Sequence, residues 1–294
     1  MPKQDHAITF ELSIKSKFDN AVTLDILKDV LIVQNVRLEN IVEVNEYPFT
    51  HLCVYFSSKL KVDGLVKRLK QLGLKNLIFK IKKLEKKEWQ AKWKAEFKPF
   101  QITKRFRIIP AWMKNKAKVA GGQEPIYLDT SFAFGSGMHP TTKMMVELIE
   151  RSQKKFESFL DIGTGSGILS VIAVRCEAKR IKAIDLHQDT IKVAKENFKR
   201  NGIGALGLQA VDFYKFKSSE RFDFVAANLI TQDLIRMGEK IVSFVMPGKI
   251  LALSGISVKN YPFFRKSFNE RLLHCLKVER REGWVAILYK KTSN

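Results

Sequence analysis

The sequence has no long hydrophobic run. Its longest stretches without Asp, Glu, Lys or Arg are 13 residues, at 130–142 and 162–174, short of the roughly 18 that a membrane-spanning helix needs. The chain is not expected to span a bilayer. Cysteine is scarce as well, and Cys53, Cys176 and Cys275 stand too far apart for a disulfide framework or a zinc-ligand spacing. The opening MPKQDHAITFELSIKSK carries no apolar core of a secretion signal. A reduced, cytoplasmic protein without structural metal is the expectation. Repeats and low-complexity tracts are also missing. The last shortage is of acid: 30 Asp plus Glu face 52 Lys plus Arg, a net charge of +22. Such a balance points to a polyanion, an acidic membrane surface or an acidic partner. Lys outnumbers Arg 38 to 14, so lysine-rich compositional bias would account for some of the same excess.

What is present is ordinary for a folded chain. Its 294 residues are 45% apolar and 28% charged, enough for one large or two modest domains with real cores. The first 85 residues form a pattern of their own. Strand-like 8–14 precedes a helical stretch at 20–33, extended runs at 41–47 and 51–57 join through Pro48, a helix at 62–73 stops at Gly73, and 77–84 reads as a closing strand. The order βαββαβ is that of a ferredoxin-like recognition module. A linker at 86–100 follows, with Trp89, Trp93 and Phe97 on one helical face, either packing onto a domain or orienting two of them.

From residue 101 to 294 strands and helices alternate, which predicts an α/β domain with a largely parallel sheet. After extended segments at 105–112 and 125–130, strands are expected at 159–163, 181–185, 206–211, 222–228 and 249–255. Helices fit at 139–152, 168–176, 188–202 and 231–244, and a hairpin of 273–282 and 284–291 turns at Gly283. A doubly wound sheet ending in an antiparallel hairpin is the layout of a Rossmann-like methyltransferase.

The chemistry concentrates at strand ends. Asp161-Ile-Gly-Thr-Gly-Ser-Gly167 closes one strand and opens a helix, so backbone can approach a ligand closely there. Gly163, Gly165 and Gly167 are spaced more tightly than the Gly-x-Gly-x-x-Gly that leaves a helix N-terminus open for pyrophosphate, and no Gly-x-x-x-x-Gly-Lys-Ser/Thr loop occurs. The spacing suits S-adenosylmethionine, a cofactor without phosphate. Twenty-two residues beyond Gly163, Asp185 ends the next strand, where a carboxylate can accept both ribose hydroxyl protons. Asp161 is placed either to fix the loop or to meet the cofactor's amino group, and Asp212 is a weaker candidate for the adenine end. Asn228 ends the strand 222–228, where its side-chain carbonyl can hold an attacking amine. The loop 132–142 combines glycines, aromatics and a Pro-started helix, with Thr142 as a possible cofactor contact and His139 as a base or a cap.

These residues resemble the bacterial methyltransferases of ribosomal protein eleven of the large subunit. The resemblance runs through Glu-Lys-Lys-Glu-Trp-x-x-x-Trp at 85–93, Ile-Pro-Ala-Trp at 109–112, AFGSGMHPTT at 133–142, DIGTGSGIL at 161–169 and Asn-Leu-Ile at 228–230. It implies S-adenosylmethionine contacts at Thr142, Gly163, Asp185 and Asn228, and methylation of lysine side chains or the N-terminal amine of that protein. The domain 1–85 would then recognise the substrate. Thr164 stands where such chains commonly have Cys, Ser136 and Met138 replace threonines, and Ile230 replaces Leu. Two other readings remain on the same residues: an RNA or other protein-amine or amide methyltransferase, and a non-catalytic ribosome-binding protein. Leu229 and Ile230 after the Asn, instead of stacking aromatics, disfavour flat base substrates. The intact glycine loop, Asp185 and Asn228 disfavour the non-catalytic scaffold.

The positive charge is local. Residues 59–118 hold 17 Lys and 3 Arg against 4 acidic residues, a net of +16, so this stretch carries most of the excess. It is expected to be a docking region that can contact the ribosome or its RNA. Neither domain shows an unexplained apolar face, and a monomer is expected.

Overall fold

The computed structural model describes residues 8–16, 27, 30–31, 36, 41–46, 49–56, 59–72, 77–85, 98–117, 119, 121–129, 136–204 and 207–293. Most of the expected linker helix at 86–100, with Trp89, Trp93 and Phe97, lies outside them, as do loop residues 132–135 and much of the helix expected at 20–33. The chain divides into two compact units, 1–97 and 98–294.

In the first unit, β1 (Ile8–Ser16), β2 (Ile41–Glu46), β3 (Phe49–Phe56) and β4 (Leu77–Glu85) form an antiparallel sheet in the order β2-β3-β1-β4. That is the ferredoxin-like order. Alternation sends Leu12 and Ile14 of β1, and Leu52 and Val54 of β3, to one face of the sheet. There they meet Val62, Leu65 and Leu69, three and four residues apart on α1 (Lys59–Gln71). Leu27 and Leu31 are buried in the same cluster. Each such fully buried side chain is worth about 1.5–3 kcal/mol, which gives this small unit its core.

The second unit holds two sheets. β5 (Phe100–Gln101), β6 (Phe106–Pro110) and β7 (Glu124–Leu128) make a small one, with β5 antiparallel and β7 parallel to β6. The large sheet has β8 (Ser158–Ile162), β9 (Arg180–Asp185), β10 (Gly207–Ala210), β11 (Phe222–Asn228), β12 (Val245–Ser257), β13 (Leu273–Arg281) and β14 (Trp284–Lys291) in the order β10-β9-β8-β11-β12-β14-β13. β14 alone runs opposite to the other six strands. Every residue of β8 is buried, as a central parallel strand covered on both faces requires.

The helices are α2 (Pro140–Arg151), α3 (Ile168–Arg175), α4 (Gln188–Arg200), α5 (Thr231–Ser243) and α6 (Tyr261–Ser267). α5 buries Leu234, Met237, Ile241 and Val242 against β8, β11 and β12. The seven-residue α6, too short to show a periodicity, is absent from the expectation, as is the separate small sheet. The small sheet is held to the end of α4 by side-chain amides. Asn201 accepts from the Tyr127 backbone N–H (2.9 Å) and donates to its carbonyl (2.7 Å), and Asn197 does the same for Asp129 (2.8 and 3.0 Å). Two side-chain amides one helical turn apart thus mimic a neighbouring strand. The hairpin between β13 and β14 turns on Glu282 and Gly283, both at positive φ (48° and 79°), the conformation a two-residue hairpin loop demands. Among the described residues no helix is long and apolar enough to cross a membrane.

Candidate active site at the carboxyl ends of the strands

Strand order reverses between β8 and β11, and ligands of doubly wound sheets bind at such a crevice. The register pairs Ile162 with Ile184 on one side and with Ala227 on the other. Asp185 and Asn228 therefore flank Gly163, each about one strand spacing of 4.8 Å away.

Gly163 leads the turn after β8 at φ +74°. Its backbone N–H and that of Thr164 both donate to the Ile184 carbonyl (2.9 and 3.0 Å), strapping the turn to β9. A side chain at 163 is disfavoured by its φ and would have to push aside Leu229, whose Cδ2 lies 2.5 Å from where a Cβ would stand. Asp161, 1% exposed, divides its two oxygens. Oδ2 accepts hydrogen bonds from Thr164 Oγ1 (2.8 Å) and Ser170 Oγ (2.7 Å), while Oδ1 is buried without a partner. Burial raises its pKa, the two hydroxyls only partly offset that, and the carboxyl sits at about 6.

Asp185 ends β9, half-buried, with Oδ2 accepting from the Gly165 N–H and Oδ1 from the His187 N–H, both at 3.1 Å. A carboxylate offers about four acceptor sites, so half of its capacity stays open. Next to it Leu186 is 62% exposed, an apolar side chain facing outward beside a polar turn. Thr142, in the first turn of α2, is 1% exposed, and its Oγ1 has no partner. His139 caps that helix, accepting the Thr141 N–H, so the cap reading of His139 describes what it does here. Asp212 accepts the Tyr214 N–H (2.9 Å) as a turn former. Asn228 is half-buried at the end of β11 and donates from Nδ2 to Thr141 Oγ1 (3.3 Å).

The strand ends thus bring Asp161, Gly163, Gly165, Asp185 and Asn228 to one crevice, and Thr142 lies in the first turn of the helix whose Thr141 meets Asn228. Sequence reasoning missed three of the supports: Ser170, Thr141, and Gly255, which lies at φ +90° in β12 against the Leu229 backbone. Gly255 had a readable sign, since a glycine inside a strand pattern marks a bulge or a close backbone approach. Among the described residues no group of three His, Cys, Asp or Glu side chains can hold a metal.

A seven-stranded sheet with one antiparallel strand next to last, and a glycine turn followed by a strand-end aspartate, define a methyltransferase of the Rossmann-like class. The family profile described as ribosomal protein L11 methyltransferase (PrmA) matches residues 15–292, and the chain belongs to that family. Two ribosomal protein L11 methyltransferases of Staphylococcus aureus, from strains bovine RF122 / ET3-1 and MRSA252, are 34% and 33% identical over 250 residues, 82% of this chain and 80% of theirs. The solved structure of a ribosomal protein L11 methylase from Lactobacillus delbrueckii subsp. bulgaricus has a TM-score of 0.61 at 27% identity, covering 67% of this chain and all of the other.

Proposed function

We propose that this protein methylates amino groups of ribosomal protein L11, lysine side chains or the N-terminal amine, with S-adenosylmethionine as donor. The observation that carries this is that Asp161 Oδ1 and Thr142 Oγ1, two of the buried polar atoms without partners, stand at the strand-end crevice, together with the half-open Asp185. Buried polar atoms are normally satisfied, and the missing partners fit this cofactor: an amino group for Asp161 and ribose hydroxyls for Asp185. When bound, the cofactor supplies an electrophilic methyl group on a sulfonium.

The chain's own part is to hold a neutral amine in line with that methyl in a site emptied of water. A lysine at about 10.4 is neutral at pH 7 at a cost of roughly 4.6 kcal/mol, and an α-amine near 7.7–8.0 at about 1–1.4 kcal/mol. Desolvation lowers an amine's pKa enough to offset much of this. No dedicated base is assigned. Asn228 accepts an N–H of the incoming amine and so aims its lone pair. Incubation with labelled cofactor and, separately, L11, ribosomal RNA and a cell extract tests the reading. Label is expected in L11, and label in RNA alone would overturn it.

Asp161 gives a pH test. Its carboxyl holds a proton below about 6 in the free protein, and an ammonium partner needs the ionised form. Below that pH binding therefore releases a proton. Affinity for S-adenosylhomocysteine, which carries the same amino group, is expected to hold from pH 8 to about 6.5, then fall roughly tenfold per unit below about 6. Calorimetry across pH 5–8 checks this, and a flat profile would remove Asp161 from the amino-group contact.

The first unit, with the linker after it, supports substrate recognition through charge. Lys59, Lys61, Lys67, Arg68 and Lys70 lie exposed along α1 with Asp63 the one acid among the helix's residues, and Lys80, Lys82 and Lys83 are exposed on β4. We assign this basic region ribosome or RNA contact beside the target protein. Binding to ribosomal particles should then weaken steeply between about 50 and 200 mM salt; salt-independent binding would return the lysines to compositional bias.

A further inference from the structure

We infer that Thr141, backed by His139, is a positioning residue that turns the Asn228 amide so that its oxygen, not its NH2, faces the incoming amine. This rests on the reading of Asn228 as the amine's acceptor. An asparagine side chain can be turned either way in a site, and the two choices differ chemically. With Oδ1 forward, an amine donates an N–H and keeps its lone pair for the methyl carbon. With Nδ2 forward, the amide donates into that lone pair and occupies the electrons the reaction needs.

The geometry selects one choice. His139 stands at the N-cap of α2 and its Nδ1 accepts the Thr141 backbone N–H at 3.4 Å. A ring nitrogen that accepts carries no proton, so this is the Nε2–H tautomer. The same Nδ1 lies 2.7 Å from Thr141 Oγ1. Only one hydrogen is available between these two atoms, and it belongs to the hydroxyl. Thr141 therefore donates to the imidazole and turns lone pairs toward Asn228, 3.3 Å away. A lone pair calls for a donor, which places Nδ2 against Thr141 and leaves Oδ1 for the site. Thr141 is 1% exposed, so bulk water has little access to its hydroxyl. The imidazole is braced in turn by Trp284 at the start of β14, edge to face with centroids 5.0 Å apart. The polar chain thus runs from His139 to Thr141 to Asn228, and from sequence Thr141 carries no reading of its own while His139 is a base or a cap.

The test is a double-mutant cycle. Thr141→Val keeps the shape and loses the hydroxyl; kcat is expected to fall about tenfold while the affinity for S-adenosylhomocysteine by calorimetry stays within about twofold. Thr141→Ser should recover most of the rate. Asn228→Ala should lower kcat about 50-fold, and in that background Thr141→Val should cost nothing further, whereas a merely structural role would cost the same in both. A readout without turnover is the Asn228 side-chain amide in 15N spectra, whose protons should exchange faster in Thr141→Val. If Thr141→Val does not fold, His139→Ala and His139→Asn serve instead. Asn can still cap the helix and accept the hydroxyl, so it should keep the rate that Ala loses. Full activity in Asn228→Ala would overturn the reading of Asn228 itself. Loss there, with an unchanged kcat in Thr141→Val or in His139→Ala, would overturn the positioning role alone.

Discussion

Replacing Asp185 by Ala is expected to weaken cofactor binding about a thousandfold by calorimetry, with the fold retained. Two ribose hydroxyls on one carboxylate are charge-assisted hydrogen bonds, each worth about 1.5–3 kcal/mol, and about 4 kcal/mol in all corresponds to three orders of magnitude. The carboxylate also does structural work, because it receives the Gly165 and His187 N–H groups at 3.1 Å. Ala leaves both donors to water and loosens the glycine turn after β8. Asp185→Asn separates the two contributions. Its single carbonyl can satisfy one backbone donor but cannot accept both hydroxyls, so an intermediate loss of roughly 30-fold is expected. A circular-dichroism melt close to that of the unaltered protein confirms that binding and not folding has failed. Unchanged affinity in Asp185→Ala would sink the assignment.

Much of this site was legible because its residues sit where pattern and chemistry coincide. The runs FLDI, IKAID and FDFVAAN are mostly apolar and carry a polar residue at or next to the last position, as largely buried parallel strands do when they end at a crevice. Asp185 and Asn228 are last residues, and Asp161 stands one before the end of its strand. How Asp161 divides its two oxygens was not legible, since it depends on Ser170 arriving from the next helix to take Oδ2 and leave Oδ1 alone. Nor was the place of the hairpin. Two antiparallel strands can be read from 273–291, but the sequence does not say that the second, β14, lies next to β12 while β13 takes the edge. That choice is written in long-range pairs such as Leu253 with Ile287 and in the Val258 N–H that meets the Gly283 carbonyl at 2.8 Å. The small sheet escaped for a different reason. Its strands were readable as extended segments, but their pairing with each other and their attachment through the Asn197 and Asn201 amides are long-range contacts that a local pattern does not carry.

Gly255 carries the other large expectation. It is at φ +90° within β12, where the pairing with β14 shifts register between Ser254 and Ile256, a glycine bulge. A Cβ there would stand 2.0 Å from the Leu229 carbonyl oxygen and 2.7 Å from its carbon. These are backbone atoms, so no rotamer relieves the clash. The turn cannot simply lift away, because the Leu229 N–H is bonded to the Ser254 carbonyl at 3.0 Å and the Leu229 side chain covers Gly163. Leu229 is therefore wedged between two glycines, one under its backbone and one under its side chain. Gly255→Ala should destabilise the protein by more than about 4 kcal/mol, combining backbone strain at positive φ with displacement of the Asn228–Leu229 turn. Any protein that folds should lose activity at least 100-fold, because Asn228 moves with the turn. Gly163→Ala makes the informative contrast. Its clash is with Leu229 Cδ2, so adding Leu229→Ala should recover most of the lost stability and leave about 1–2 kcal/mol of φ strain. The same addition should not rescue Gly255→Ala, where the obstacle is the Leu229 carbonyl. Chemical denaturation of the two single and two double variants measures all four values. A Gly255→Ala protein with unaltered stability and kcat would show that the bulge does not hold the catalytic turn.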